Sequence, residues 1–126
     1  MKGLTLDTGA LIALERGEQR MMALLERTLA VSGAVVHVPA GVVAQAFREG
    51  ARQVYLRRLM KEPQTKVVPL DEQTAYVVGM LLGLRGGSDV VDASVVVCAR
   101  RNDQPVVTGD PDDLRRLDPH VVLHAL

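Results

Sequence analysis

Short apolar segments alternate along the chain with longer segments of helical periodicity. The apolar segments predict strands at 3–6, 34–38, 66–69, 105–108 and 121–123. The periodic segments predict helices at 9–15, 18–30, 39–47, 52–61, 72–84 and 90–102, with a helical turn from 110. Because the strands are apolar almost throughout, the pattern predicts an α/β fold, with a parallel sheet of four or five strands and helices on both faces.

Composition narrows the class of protein. A length of 126 residues predicts a single domain over 1–126. The absence of Trp, with only 2 Tyr and 1 Phe, argues against RNA-binding folds that stack bases on aromatic platforms. The only cysteine, Cys98, excludes a disulfide within the chain and is expected to be a buried thiol. No apolar run is long enough to span a membrane, and Asp7 interrupts the apolar N-terminus, so we expect a cytoplasmic protein.

Charge is balanced in total but uneven along the chain. The 15 Lys and Arg residues equal the 15 Asp and Glu residues. Residues 48–66 are mainly basic, whereas residues 89–118 are mainly acidic. The basic segment is either a solvated helix face or a surface that guides a polyanion to an acidic site.

Acidic residues occur at the positions where an open parallel sheet binds ligands. Asp7 and Asp110 follow predicted strands, and Asp89 and Asp92 open a helix, so four carboxylates can meet at one rim of the sheet. Such a cluster without His or Cys suits Mg²⁺ or Mn²⁺. Taken one at a time, most of these acids are explained better by helix capping than by a metal site, but Asp92 lies past the cap position. His37, His120 and His124 show no zinc-site pattern.

Four segments, in order along the chain, resemble the PIN-domain nucleases, and at this length the VapC-type toxins of toxin-antitoxin pairs. They are Leu6 to Leu14 (LDTGALIAL), Val38 to Gln45 (VPAGVVAQ), Asp89 to Ala93 (DVVDA) and Val107 to Leu114 (VTGDPDDL). The resemblance implies a PIN-like three-layer sandwich and a Mg²⁺- or Mn²⁺-dependent endoribonuclease. It also implies a homodimer that is inhibited by a small antitoxin protein.

The resemblance also implies roles for individual residues. Asp7, Asp92 and Asp110 would be the catalytic metal ligands. The residues that would support the metal ligands or lie just outside them are Thr8, Gln45, Asp89, Thr108 and Asp113. In the basic segment, Arg48, Arg52 and Arg57 would contact the RNA backbone without reading bases.

Gln45 departs from the family pattern, which usually has Glu at this position. Its neutral amide should weaken metal binding. If the helix from Pro39 continues, Glu49 lies one turn further on and either compensates or is an exposed helix-end acid. The alternative function is therefore a catalytically weak PIN domain that binds RNA or an antitoxin. A phosphoacceptor receiver domain does not fit, because the chain has no Asp between 8 and 70 and no Lys after 66.

Overall fold

The computed structural model describes residues 2–48 and 53–126, which form five strands and seven helices. The strands are β1 (Gly3–Leu6), β2 (Val35–Pro39), β3 (Thr65–Val68), β4 (Val106–Thr108) and β5 (Leu123–Ala125). The helices are α1 (Thr8–Glu15), α2 (Gln19–Leu29), α3 (Ala40–Ala46), α4 (Val54–Lys61), α5 (Glu72–Arg85), α6 (Val90–Asn102) and α7 (Pro111–Leu117).

The five strands form one parallel sheet in the order β3-β2-β1-β4-β5. Helix α1 contacts both α2 and α4, and α5, α6 and α7 contact one another, as expected for two helical layers around a central sheet. The predicted parallel α/β sandwich is therefore confirmed. From β1 the chain winds outward through β2 and β3, then returns to the other side of β1 with β4. This reversal opens a crevice beyond the carboxyl ends of β1 and β4, where ligands bind in such folds.

The core makes the rim of the sheet rigid. The three central strands, β1, β2 and β4, bury aliphatic side chains on both faces, and Leu6, Val36, Val38 and Val107 are fully buried. Helix α6 buries an uninterrupted run, Ala93 to Ala99, against the sheet. Burial of aliphatic side chains on this scale, at roughly 25 cal/mol per Å² of apolar surface, fixes the strand ends from which the site is built.

Some predicted element boundaries are wrong. Pro39 does not begin a helix: its backbone is extended, and it ends β2 paired with Val68. The following helix ends at Ala46, because Phe47 has an extended backbone. The last strand lies at Leu123–Ala125, not at 121–123, since the turn in which the Val121 N–H bonds the Asp118 carbonyl comes first. For α4, the predicted start at Arg52 falls outside the described residues.

In the described part of the chain, none of the helices has the length and apolar character needed to cross a membrane.

Candidate functional site

Asp7 lies at the centre of the crevice, directly after β1. It is only 6% exposed and caps α1, since its Oδ1 accepts a hydrogen bond of 2.9 Å from the Ala10 N–H. Burial raises the pKa of Asp7, and the nearby charge of Asp110 adds to the rise. Hydrogen bonds with Thr108 and with the N–H groups of Ala10 and Gly109 oppose it. The carboxylate is thus both a helix cap and a desolvated charge at a strand end.

Thr108 connects the ends of β1 and β4. Its hydroxyl is fully buried, hydrogen-bonds Asp7 and accepts from the Asp110 N–H at 2.8 Å. The two strand-end turns also meet through glycines, because a Cβ atom on Gly9 would stand 2.9 Å from the nitrogen of Gly109. Only the absence of side chains lets the backbones approach this closely. Gly9 and Gly109 are site-forming residues that our sequence reasoning missed, and the signal was a glycine beside each strand-end acid.

Asp89 and Asp92 reach the same rim from the start of α6. Asp89 caps the helix, accepting from the Asp92 N–H at 2.9 Å. Asp92 is half-buried one turn further in. Burial, followed by the negative charges of Asp89, Asp113, Asp7 and Asp110, raises the pKa of Asp92 to about 6. Asp92 is therefore the carboxylate on which the negative charges of the four other acidic residues act together.

Asp110 and Asp113 form a second close pair at the start of α7. The hydrogen bond and the charge of Asp110 raise the pKa of Asp113. Asp110 stands at the N-cap position but makes no side-chain capping hydrogen bond. The capping explanation therefore accounts for Asp7 and Asp89 but not for Asp110.

The donor set fits a hard divalent cation. Every group that acts on Asp92 electrostatically is a carboxylate, and oxygen donors of this kind suit Mg²⁺ or Mn²⁺. Within residues 2–48 and 53–126, no three acidic, His or Cys side chains are close enough together to hold one ion. Mg²⁺ commonly binds through one or two carboxylates and keeps several waters, so Asp7 and Asp92 with solvent meet its requirements.

Gln45 faces Thr8, the residue that follows Asp7 in the chain. The Thr8 hydroxyl donates a hydrogen bond of 2.5 Å to its Oε1, and this side chain is exposed. The continuous helix needed to bring Glu49 over the same face does not exist, because α3 ends at Ala46. Glu49 itself lies outside the described residues. The condition under which Glu49 was expected to compensate, a helix continuing from Pro39, is therefore not met.

The predicted RNA-contacting arginines have different surroundings. Arg48 donates through Nη1 to the carbonyls of Ala44 and Phe47, both at 2.8 Å, which fixes it at the end of α3 near Gln45. Arg57 is exposed on α4, and Arg52 lies outside the described residues. Arg16, at the end of α1, lines the same groove as Gln45 and Arg48. The sequence reasoning missed Arg16 because no local motif marks it.

Comparison with known proteins shows the family. A family profile for the PIN domain matches residues 4–119. No curated protein matches the chain.

Solved structures show the same fold at low sequence identity. A chain in the crystal structure of VapBC2 from Rickettsia felis bound to a DNA fragment from their promoter is 15% identical, with 98% of each chain covered and a TM-score of 0.71. FitAB bound to an IR36 DNA fragment is 19% identical, with 97% of this chain and 94% of that chain covered and a TM-score of 0.63. FitAcB from Neisseria gonorrhoeae is 21% identical, with 95% of each chain covered and a TM-score of 0.64.

The profile match covers nearly the whole sheet and every acidic residue of the crevice, from Asp7 to Asp113. The chain therefore belongs to the PIN domain family, whose members are nucleases.

Proposed function

We propose that the protein is a VapC-type toxin, a Mg²⁺- or Mn²⁺-dependent endoribonuclease in which Asp7 and Asp92 bind the metal directly and Asp110 binds it through a water molecule. The observation that carries the proposal is the position of these carboxylates at the crevice between β1 and β4. Asp92 has a raised pKa because four other acids act on it after burial. A set of repelling, partly desolvated carboxylates is costly unless a cation neutralises it.

The chain's own residues would hold and aim the reacting groups. A bound divalent ion would supply a water of lowered pKa and charge stabilisation at the phosphodiester. Asp7 is immobilised by its hydrogen bonds with Ala10 and Thr108, so its carboxylate needs no reorganisation on binding. Thr108 holds Asp110 by the backbone, and Asp89 holds the start of α6 under Asp92. Asp113 adds negative charge beside Asp110 and orders water there as an outer residue.

The second candidate function, a weakly catalytic module that binds RNA or an antitoxin, is favoured by Gln45. Its carbonyl oxygen already accepts from Thr8, and it carries no charge to offer a cation.

An RNA cleavage assay tests the two functions against each other. We expect the purified protein to cut single-stranded RNA internally with Mn²⁺ or Mg²⁺ and to stop when EDTA is added. Equal cleavage in EDTA would contradict the metal site. Binding of RNA without cleavage at any metal concentration would favour the binding module instead.

A partner protein is part of the proposal. The structural neighbours VapBC2 and FitAB are complexes bound to DNA. In this chain, an apolar groove of about 350 Å³ runs between α1, α2 and α4, lined by Leu14, Met22, Leu25, Tyr55 and Leu59 among others. Such a groove suits a segment that folds on binding, and an Arg from that segment could reach the acidic rim. Expression of the protein alone should slow growth, and co-expression with the neighbouring small protein should restore it.

A homodimer would use the outer face of α5. Tyr76, Met80 and Leu84 recur every fourth residue on this helix and are 68%, 75% and 82% exposed. A stripe of large apolar side chains so open to water favours a second copy of the chain as its cover. Light scattering should give the mass of a dimer for the wild type and of a monomer for Met80→Glu.

A further inference from the structure

A polar groove leads away from the acidic rim along α1. It has a volume of about 460 Å³ and is lined by Ile12, Glu15, Arg16, Gln45, Ala46 and Arg48. Gln45 connects it to the site through its hydrogen bond with Thr8, which follows Asp7 in the chain. Arg16 lies eight residues beyond Thr8, which is about 12 Å along a helix axis. The groove therefore extends about two turns along α1 from the end of the helix that Asp7 caps.

Two of the donor side chains in this groove, Arg48 and Gln45, are held in place by hydrogen bonds. Two carbonyls at the end of α3 accept from Nη1 of Arg48, each at 2.8 Å. Arg16 follows the last turn of α1, where its N–H bonds the Ile12 carbonyl. The Oε1 atom of Gln45 is engaged by Thr8, and the amide carries two further N–H donors at the groove wall. Guanidinium and amide donors that are fixed before binding lose little entropy when they meet an anion.

We propose that this groove binds the phosphodiester backbone of RNA beside the scissile bond, with Arg16, Arg48 and Gln45 donating to phosphate oxygens. This inference rests on the proposed function of the acidic rim. It gives Gln45 a role on the substrate side, in place of the metal-ligand role expected of an acid there. Among the described residues that line the groove, Glu15 is the one acidic side chain, and it opposes the anion from the same wall.

Equilibrium binding without metal isolates the groove from catalysis. The probe is a short labelled single-stranded RNA of mixed sequence, titrated in EDTA by fluorescence anisotropy at several salt concentrations. Arg16→Gln and Arg48→Gln should each weaken binding by about threefold to tenfold. Each should also reduce the slope of log affinity against log salt by about 0.7, the value for one phosphate contact on a single strand.

Two further variants distinguish an effect of charge on RNA binding from a loss of binding caused by a damaged fold. Glu15→Gln should tighten binding, a result that a damaged fold does not produce. Gln45→Glu should weaken binding, because it replaces two donors by a negative charge. The matched control is Arg27→Gln, on the end of α2 beside Lys2 and Gly3 at the opposite end of β1, and it should bind as the wild type does.

The outcomes distinguish this inference from the proposed function. If the wild type cuts RNA but the groove variants all bind like Arg27→Gln, the inference is overturned and the nuclease stands. If groove variants shift binding in opposite directions while no cleavage occurs with Mn²⁺, the groove stands and the catalytic proposal fails. If the variants weaken only the association with a co-purified protein, the groove is a protein interface and the inference is wrong.

Discussion

Two clusters of polar side chains include residues only two positions apart at the end of β1, Thr5 and Asp7. The first cluster pairs its buried polar atoms by hydrogen bonds, whereas the second brings like charges together. The neutral cluster centres on Gln104, whose Oε1 accepts from Thr5 at 3.0 Å and pairs with Nδ1 of His37 at 2.9 Å. Its Nε2 donates to the carbonyls of Lys2 and Val35 at 3.1 and 3.0 Å. The acidic cluster around Asp7 and Asp92 contains carboxylates that raise one another's pKa values.

The difference shows which cluster holds the fold together and which is prepared for a ligand. In the Gln104 cluster each buried polar atom has a partner, so burial costs little and the amide ties the amino ends of β1 and β2 to the start of β4. In the acidic cluster the desolvation and repulsion remain, and a bound cation would relieve both while leaving the carboxylates ionised. A buried polar group that lacks a neutralising partner is thus the better sign of function.

Asp92→Asn should have the largest effect on activity. Loss of a charged ligand should reduce RNA cleavage by about a thousandfold, while the melting temperature of the metal-free protein holds or rises because repulsion is relieved. Asp7→Asn should behave alike, since Asn still caps α1. Thermal unfolding with and without Mn²⁺ measures this, and a metal-free variant that unfolds far earlier would place Asp92 with the structural cluster.

Gln104→Leu should have the opposite effect on stability, because it should destabilise the fold. It leaves Thr5, His37 and two backbone carbonyls without their partner, and we expect a loss of about 3 kcal/mol in the free energy of unfolding. Urea unfolding measures the loss. The matched control is Gln45→Leu, an exposed glutamine with one side-chain hydrogen bond, which should change stability by less than about 0.5 kcal/mol.

Gln45→Glu should make the acidic cluster more acidic and bind metal more tightly. The new carboxylate would stand next to Thr8, the residue after Asp7, and we expect about tenfold higher Mn²⁺ affinity, equivalent to about 1.4 kcal/mol. Calorimetric titration compares it with Glu49→Gln, for which we expect no change because α3 ends before that residue. Weaker binding in Glu49→Gln would restore the compensating role.

The smallest of the expected effects is the dependence of stability on pH, which should come from the acidic cluster. Because the pKa of Asp92 is raised to about 6, its protonation stabilises the metal-free fold fully below the ordinary value of 3.8 and this contribution is lost as the pH rises through 6. Stabilisation by Mn²⁺ should therefore grow between pH 5 and pH 7, roughly as Asp92 ionises.

Two variants isolate that response from other titrating groups. Asp92→Asn should flatten the pH dependence of the shift in melting temperature caused by Mn²⁺. Asp71→Asn should leave it unchanged, because the hydrogen bond with Thr74 lowers the pKa of Asp71 and keeps its titration below this range. A response in Asp92→Asn as steep as in the wild type would assign the titration to another group.

Local sequence determined the elements. The predicted helix at 90–102 matches α6, and Asp71 and Asp89 cap helices as their positions indicate. The parallel α/β class followed from strands that are apolar on both faces. These features depend on neighbours a few residues away, through side-chain periodicity and capping hydrogen bonds. The single domain over 1–126 and the roles of the site residues stay predictions.

Tertiary structure alone decided which of these elements meet. The strand order puts β4 beside β1, and this brings Asp110 and Thr108 to Asp7 across about a hundred residues of chain. The hydrogen bonds from Thr8 to Gln45 and from Thr5 to Gln104 span 37 and 99 residues. Both require the packed sheet, because no local propensity encodes a contact between side chains so distant in sequence. The sequence supplied the acids and the donors. The pairing of β1 with β2 and β4 decided which of them form a hydrogen-bonded cluster inside the fold and which form a charged site.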